Sequence, residues 1–312
     1  MKRVVVFGGS GFVGKYLVCE LVARKYCVSV YTRDQRKASD LKLFGHLGQV
    51  DTIVGKLSNT RLIEKLVTES DIVVNLVGTI SEPRSSIMKY LHVLFPGYLA
   101  QLAEKHGKML VHFSAMGSDV AVSSTYAMSK LQGEQLINDT HQGAIIVRPN
   151  LIFGVEDNFF NKFANIARIT PVMPVLGGGK NLLQPVHVGD VVDLVVDLIA
   201  KNEQGTYEIC GPHVYSFKEL MEFILESTCR KKTLLPIPFF IAKSCAFLLE
   251  RKLVSLLTHP VTGNNEPIVT RDQIELMKYD IIAKDNANTV KGSGTIEHIV
   301  PEYLAVYRNA EN

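Results

Sequence analysis

Tryptophan is absent from the 312-residue chain, and its five cysteines are scattered and never form a Cys-x-x-Cys pair. An odd number of distant cysteines argues against a disulfide framework and against a zinc site, so we expect a reducing compartment and no bound metal. The chain also has no large excess of positive or negative residues, since its 34 Lys and Arg residues are nearly balanced by 31 Asp and Glu residues. A net charge of +3 over this length lacks the excess of a basic nucleic-acid-binding surface, and we predict no nucleic-acid partner.

Long apolar runs are missing as well. No uninterrupted stretch reaches the ~18–20 residues that a membrane-spanning helix needs. At the N-terminus, Met1-Lys2-Arg3 leads straight into Val4 and then into glycines, which predicts a buried first strand and leaves no room for a secretory signal. We therefore expect a protein of the bacterial cytoplasm or of the mitochondrial matrix.

Short β-branched runs alternate with helical patterns through the first half of the chain. This alternation is typical of βαβ units, so we predict an α/β fold with a doubly wound parallel sheet. The predicted strands lie near Arg3–Phe7, Val28–Tyr31, Val50–Val54, Ile72–Leu76, Met109–Phe113 and Ala144–Val147, and helices are predicted at Val13–Lys25 and Thr60–Glu69.

Past Asn150 the alternation gives way to Gly-rich and Pro-rich connections. We predict a dinucleotide-binding domain over 1–150 and a smaller C-terminal region over 151–312, part of which returns to the first sheet. Residues 284–312 carry little periodicity, which predicts a partly loose tail.

A glycine-rich segment directly follows the first predicted strand and opens the first helix. It comprises Gly8, Gly9, Ser10, Gly11, Phe12, Val13 and Gly14. Glycines at this place allow a tight turn and let the backbone approach a pyrophosphate, whose charge then lies at the positive end of the helix. The alternative is a turn that serves helix packing alone, but the order of strand, motif and helix favours a dinucleotide site.

The end of the second strand bears on which dinucleotide is bound. NAD-preferring sites place Asp or Glu there to bind the ribose hydroxyls, whereas this chain has Tyr31 and Thr32 followed by Arg33. A guanidinium suits the geometry of a 2′-phosphate, so the sequence favours NADP(H). NAD(H) is the alternative if Asp34 holds the ribose instead.

Tyr126 and Lys130 form a Tyr-x-x-x-Lys pair in a helical pattern. A spacing of four places both side chains on one helical face. An ammonium beside a phenol lowers the phenol pKa, and we therefore predict that Tyr126 exchanges a proton with a carbonyl or alcohol substrate. The alternative is a surface tyrosine and a solvated lysine on an amphipathic helix.

These motifs resemble the short-chain dehydrogenase/reductases of the extended or atypical kind. The glycine loop, Tyr126/Lys130, the Arg148–Gly154 segment and the Gln184–Val191 segment match the motifs of that family in order. The resemblance implies that Tyr126 is the acid/base, that Lys130 also binds the nicotinamide ribose and that Pro149 lies near the nicotinamide. It also implies that Ser114 contacts a substrate and that Leu57, Val77 and Gly78 border the nucleotide.

A narrower resemblance, from residue 3 to about residue 280, is to the nucleotide-binding accessory subunit of respiratory complex I and its bacterial relatives. It is carried by Phe7–Gly14, Asn75–Gly78, His112–Gly117, Glu156–Asn161 and Thr270–Leu276. That subfamily holds NADPH firmly and contributes to assembly, so the resemblance implies a structural nucleotide and complex I subunits as partners. The alternative is an active NADPH-dependent reductase or epimerase acting on a lipid-like, quinone-pathway or sugar-derived small molecule.

Two departures from the reductase pattern favour the accessory role. Ser114 is followed by Ala115 and Met116 where reductases carry a Ser-Ser run, and no Asp follows the third strand. These losses affect catalysis more than nucleotide binding, and they leave the enzymatic status open.

The segment 239–257 is a largely apolar helical candidate interrupted by four charged residues. It is consistent with peripheral contact with a membrane surface, with docking on a partner helix, or with an ordinary amphipathic helix that caps the substrate region.

Overall fold

The computed structural model describes residues 1–80, 85–249, 269–284 and 286–308. The strands are β1 (Arg3–Phe7), β2 (Cys27–Thr32), β3 (Val50–Val54), β4 (Ile72–Asn75), β5 (Met109–Phe113), β6 (Ile145–Pro149), β7 (Ile152–Phe153), β8 (Val172–Leu176), β9 (Leu182–Leu183), β10 (Val186–His187), β11 (Gly205–Cys210), β12 (Tyr215–Ser216), β13 (Thr233–Ile237) and β14 (Thr289–Lys291).

The helices are α1 (Phe12–Ala23), α2 (Gln35–Ser39), α3 (Thr60–Glu69), α4 (Ser85–Lys89), α5 (Phe95–His106), α6 (Thr125–Thr140), α7 (Phe160–Ile169), α8 (Val188–Lys201), α9 (Phe217–Ser227), α10 (Phe239–Leu249), α11 (Arg271–Leu276) and α12 (Ile296–Leu304). A π-helical turn at Tyr90–Leu94 joins α4 to α5.

The main sheet has eight strands in the order β14-β11-β6-β5-β4-β1-β2-β3. All of its pairings are parallel. The order reverses between β1 and β4, and in doubly wound sheets ligands bind outside the strand C-termini at such a reversal. The predicted doubly wound α/β fold is confirmed, and the glycine loop lies at this crevice.

Helices cover both faces of the main sheet. On one face, α1 and α8 pack their apolar sides onto the strands, with Leu17 and Val195 fully buried. On the other face, α3 and α5 do the same through Ile63 and Leu99. Because both faces are covered, the strands read as continuous apolar runs such as Val4–Val6.

The second half of the chain forms its own apolar cluster beyond the strand C-termini. Aromatic side chains of α7 and α9 pack together there, and the rings of Phe163 and Phe217 lie 5.4 Å apart. β11 and β14 of this half join the main sheet at its far edge. The predicted boundary after residue 150 stays a prediction.

The prediction of a partly loose tail after residue 284 is wrong for residues 286–308. Thr289–Lys291 pairs with β11, and Val300 of α12 is fully buried against the C-terminal cluster. A three-residue strand and a helix with an internal Pro301 leave too short a periodic pattern to be recognised in sequence.

Residues 239–249 of the candidate segment 239–257 are helical, and 250–257 lie outside the described residues. Ala242 and Ala246 of α10 pack against Ile274 of α11, whereas Phe240 is 72% exposed. Within the described ranges, no helix combines the length and apolar character needed to cross a bilayer.

Candidate functional site

The glycine loop has no room for side chains at two of its positions. Gly8 has a φ of +85°, a conformation that favours glycine. A Cβ on Gly14 would lie 2.6 Å from the Cα of Gly9, so the first turn of α1 packs directly on the loop backbone. Gly11 caps α1 without a side-chain hydrogen bond, and no acidic residue lies in the first turn. The loop is therefore an open cradle for an anionic group.

The neighbouring end of β2 is organised by Thr32. Its hydroxyl lies 2.9 Å from the hydroxyl of Ser10 and accepts a hydrogen bond from the Asp34 N–H at 3.1 Å. The carboxylate of Asp34 accepts from the Arg36 N–H at 3.0 Å and so caps α2. Arg33 is exposed beside this turn and forms no ion pair with another described residue.

The remaining predicted nucleotide contacts lie at the C-terminal ends of their strands. Leu57, just after β3, is half-buried, and its carbonyl accepts from the Tyr90 hydroxyl at 3.1 Å. The Val77 N–H donates to the Asn75 side chain at 3.1 Å. Pro149 is buried at the end of β6. These residues border the same edge of the sheet as the glycine loop.

Lys130 is buried on α6 and points back to the sheet. Its ammonium donates to the Phe113 carbonyl at 2.8 Å, and a Cβ on Gly78 would lie 3.3 Å from its Nζ. Burial lowers the pKa of Lys130 to about 8, an effect that Glu134 partly opposes. The structure thus brings Lys130 and Gly78 together.

Tyr126 lies one turn before Lys130 and is half-buried, with its ring edge-on to that of His92 at 5.4 Å. Burial raises the pKa of Tyr126 to about 12, and the carboxylate of Asp272 adds to the rise. The prediction that Lys130 lowers this pKa is therefore wrong for the structure. The ammonium is held by the Phe113 carbonyl, and the charge that adds to the rise in the phenol pKa is the carboxylate of Asp272.

Ser114 follows β5 and is buried, and its hydroxyl has no hydrogen-bond partner in the described part of the chain. A buried hydroxyl without a partner is costly unless another molecule supplies one. Met116 fills the position two residues on, and its sulfur contacts the Asn150 amide at 3.2 Å. Ser114 therefore offers a free hydroxyl in this segment, and its contact with a substrate stays a prediction.

A family model described as the NAD dependent epimerase/dehydratase family matches residues 4–210. The chain belongs to this family. The match spans the glycine loop, Tyr126, Lys130 and β11, and it confirms the resemblance to extended short-chain dehydrogenase/reductases. The family and the glycine cradle together support a nicotinamide dinucleotide as the ligand of this site.

Named relatives are similar to the chain over most of its length. An Arabidopsis thaliana protein, mitochondrial NADH dehydrogenase (ubiquinone) 1 alpha subcomplex subunit 9, is 28% identical over 97% of this chain and 77% of its own length. The rat protein of the same name is 30% identical over 90% of this chain and 73% of its own length.

Solved structures in the family share the fold. A Streptomyces venezuelae dTDP-glucose 4,6-dehydratase with bound NAD has a TM-score of 0.65 and 19% identity, and the match covers 76% of this chain and 84% of that one. A Bacillus anthracis dTDP-4-dehydrorhamnose reductase with NADP has a TM-score of 0.62 and 19% identity, with 76% and 85% covered. At this identity the likeness shows the fold alone.

Sequence reasoning missed His92, which lies in the π-helical turn before α5. Its Nε2 accepts from the Thr79 N–H at 3.1 Å, so its Nδ1 donates to the Ser129 hydroxyl at 2.8 Å. Burial, and then the charge of Lys130, lowers the pKa of His92 to about 3. A single histidine in an apolar helical pattern gives no sequence signal, although π-helical turns are frequent at functional sites.

Asp272 of α11 was also missed as a neighbour of Tyr126. Its carboxylate accepts a hydrogen bond from the Tyr126 N–H at 3.0 Å, across 146 residues of sequence. In the described stretches, no group of three or more His, Cys, Asp or Glu side chains is placed to hold a metal ion.

Proposed function

We propose that this protein is an NADP(H)-binding accessory or assembly protein of the respiratory NADH:ubiquinone oxidoreductase. The observation that carries the proposal is the similarity, over 97% of the chain, to a named subunit of the mitochondrial enzyme. In this role the nucleotide is a structural ligand, which stabilises the folded chain by mass action.

The cradle of the glycine loop supports the binding half of the proposal. The open start of α1 and the close approach at Gly14 suit a pyrophosphate. At the end of β5, the hydroxyl of Ser114 has no partner in the described chain and the ammonium of Lys130 donates to the Phe113 carbonyl, and we assign both groups to the nicotinamide ribose.

The end of β2 supports NADP(H) over NAD(H). One carboxylate oxygen of Asp34 accepts the hydrogen bond that caps α2, which leaves Asp34 less available as a ligand of the ribose hydroxyls. Arg33, Arg36 and Lys37 are exposed around this turn. Cations grouped at the ribose end of the groove favour a 2′-phosphate.

A non-catalytic nucleotide is supported by the chemistry around Tyr126. A phenol whose pKa is raised to about 12 is a poor base at neutral pH. Met116 also stands where a second hydroxyl would serve a reductase, and it is buried. The site holds a dinucleotide better than it activates a substrate.

The alternative is an active NADPH-dependent reductase or epimerase. The retained pair Tyr126 and Lys130, with Lys130 positioned on the Phe113 carbonyl, is the observation that favours it. In that role Tyr126 would donate its proton to a substrate carbonyl, and Ser114 would bind the same oxygen. A lipid-like, quinone-pathway or sugar-derived substrate remains its proposed class.

For location, the proposal places the protein in the mitochondrial matrix or the bacterial cytoplasm, peripheral to the inner membrane. The exposed Phe240 and Ile241 of α10 support contact with a partner subunit or with a lipid surface. Apolar side chains on an exposed helix face are typical of such contacts.

The test is to tag the protein, extract native membranes gently and follow its migration on a native gel, for the unmodified protein and for Tyr126→Phe. The proposal expects both forms to migrate with the respiratory NADH dehydrogenase and to support normal NADH oxidation. Migration alone as a small soluble species contradicts the accessory role. Normal migration with a respiratory defect in Tyr126→Phe supports the catalytic alternative.

A further inference from the structure

The start of α6 is completed by a carboxylate from far along the chain. Asp272 accepts hydrogen bonds from the backbone N–H of Thr125 at 2.6 Å and of Tyr126 at 3.0 Å. It also accepts from the Ser124 hydroxyl at 2.9 Å. Two backbone groups and the capping side chain of α6 therefore depend on one residue of α11.

With Asp272 in place, the first turn of α6 has no open donor. The Ser124 hydroxyl accepts from the Ala127 N–H at 3.2 Å, and the Ser124 N–H donates to the Ala121 carbonyl at 2.9 Å. The four N–H groups that a helix start leaves open are thus all bonded. Because α6 has no acidic residue in its first turn, Asp272 supplies the negative charge at its positive end.

Asp272 is itself held firmly. A capping box between Thr270 and Gln273 fixes the turn in which it lies. Two residues further on, Ile274 is buried in the apolar cluster shared with α10. Glu275 forms ion pairs with Lys243 of α10 and with Lys278, so the position of α11 is tied to that of α10.

A second contact joins the same two regions. The hydroxyl of Ser123, just before α6, lies 3.0 Å from the hydroxyl of Tyr279 and donates to Glu275 at 3.3 Å. The loop that leads into α6 is therefore fixed on α11 along several consecutive residues.

We propose that Asp272 is a positioning residue of the dinucleotide site, which fixes the first turn of α6 and thereby the ring of Tyr126. This inference rests on the proposed function, because Tyr126 matters here as a side chain that faces the bound nucleotide. The charged and titratable groups around Tyr126 are Asp272 from α11, His92 from the π-helical turn and Lys130 from α6 itself. A shift of α11 acts on Tyr126 through the Asp272 contacts.

The test compares Asp272→Asn and Asp272→Ala with Asp280→Asn. Asp280 is a matched control, since it lies in the same C-terminal segment and accepts a backbone hydrogen bond from Leu182 at 2.8 Å. The first readout is hydrogen exchange at the amides of Thr125 and Tyr126. We expect exchange there to rise at least about tenfold in Asp272→Ala, less in Asp272→Asn, and not at all in the control.

The second readout is a double-mutant cycle on NADPH affinity. Asp272→Asn should weaken NADPH binding about three- to tenfold when Tyr126 is present, and by less than about twofold when Tyr126 is already Ala, which removes the ring. A merely structural aspartate would weaken binding equally in both backgrounds. Asp272→Asn serves here because it keeps one acceptor oxygen and the size of the side chain, and we therefore expect it to disturb folding less than Asp272→Ala.

Exchange that matches the control, or an NADPH effect that persists undiminished in the Tyr126→Ala background, overturns the inference. If the unmodified protein binds no NADPH, the proposed function fails first, and exchange at Thr125 and Tyr126 alone then decides whether Asp272 fixes the start of α6.

Discussion

The N-termini of α1 and α6 both lie at the candidate site, and they differ in whether their open backbone N–H groups are bonded. At α1 the cap is Gly11, no side chain closes the turn, and the N–H groups of Phe12, Val13 and Gly14 have no acceptor among the described residues. At α6 the carboxylate of Asp272 and the hydroxyl of Ser124 together close the turn. The protein therefore leaves one helix start open for the anion of a ligand and supplies the anion of the other itself.

The difference separates binding from positioning. The open start of α1 is built from local sequence, and it gains its partner only from a ligand. The closed start of α6 depends on Asp272, which is 146 residues away from Tyr126 in sequence. This contact holds Tyr126 in place whether or not a ligand is present. A change at α1 should therefore affect nucleotide affinity first, whereas a change near α6 should affect local geometry and protonation first.

The largest expected effect comes from closing the space at α1. In Gly14→Ala the new methyl group would lie 2.6 Å from the Gly9 backbone, which cannot move aside as a flexible side chain does. We expect a loss of about 1–3 kcal/mol in the free energy of unfolding and the loss of measurable NADPH binding. Denaturant unfolding and fluorescence titration with NADPH provide the measurements.

Gly143→Ala is the matched control for this substitution. An added Cβ there would have its nearest neighbour at 3.5 Å, which is ordinary contact. Near-normal NADPH affinity in Gly14→Ala would show that the close packing at α1 is not what forms the cradle.

A smaller effect is expected where the anion site extends to β2. Arg33→Ala should weaken NADPH binding by about 10- to 100-fold, the range for a charge-assisted hydrogen bond of ~1.5–3 kcal/mol, and should leave NADH binding within about twofold. Competition titrations with the two nucleotides measure the ratio. Arg3→Ala, an exposed arginine at the opposite end of the sheet, is the control. Equal losses for NADPH and NADH would contradict the 2′-phosphate assignment.

The smallest expected effect concerns the cation buried on α6. Because the pKa of Lys130 is about 8 in the folded chain and 10.5 without burial, the unfolded chain binds more protons between these values. Stability must then rise with pH across this window. From pH 8 to 9.5 the gain is about 1.5 kcal/mol relative to Lys130→Met, since a full proton is worth ~1.4 kcal/mol per pH unit.

Urea unfolding at the two pH values measures this gain. The pKa of Tyr126 is raised to about 12 in the folded chain, so at high pH this residue ionises first in the unfolded chain and reduces stability. The upper limit of pH 9.5 keeps the measurement below that range. An identical pH dependence in Lys130→Met and in the unmodified protein would mean that Lys130 is not buried as a charged group.

The parts of the fold that could be predicted from the sequence are those set by local pattern. The six predicted strands lie within about two residues of their observed ends, because each is a short run rich in β-branched and apolar residues. The glycine loop was equally readable, since its spacing and its place after β1 are both local. The NADP(H) assignment at Arg33 is a prediction of the same local kind.

The parts that could not be predicted depend on distant contacts. Asp272 reaches Thr125 across 147 residues, and nothing near either residue marks the pairing. The raised pKa of Tyr126 follows from that same contact and from burial, so the spacing of Tyr126 and Lys130 gave the wrong direction. β14 escaped notice because three residues carry no periodicity, and it is the pairing with β11 that makes them a strand.

We propose that a nicotinamide dinucleotide phosphate is a permanent part of this protein. The most direct test is to isolate the protein under native conditions, release its nucleotide and measure both the identity and the amount per chain. We expect close to one NADP(H) per chain, retained equally in Tyr126→Phe and largely lost in Arg33→Ala. A protein that emerges empty, or that carries NAD(H) instead, would contradict the claim.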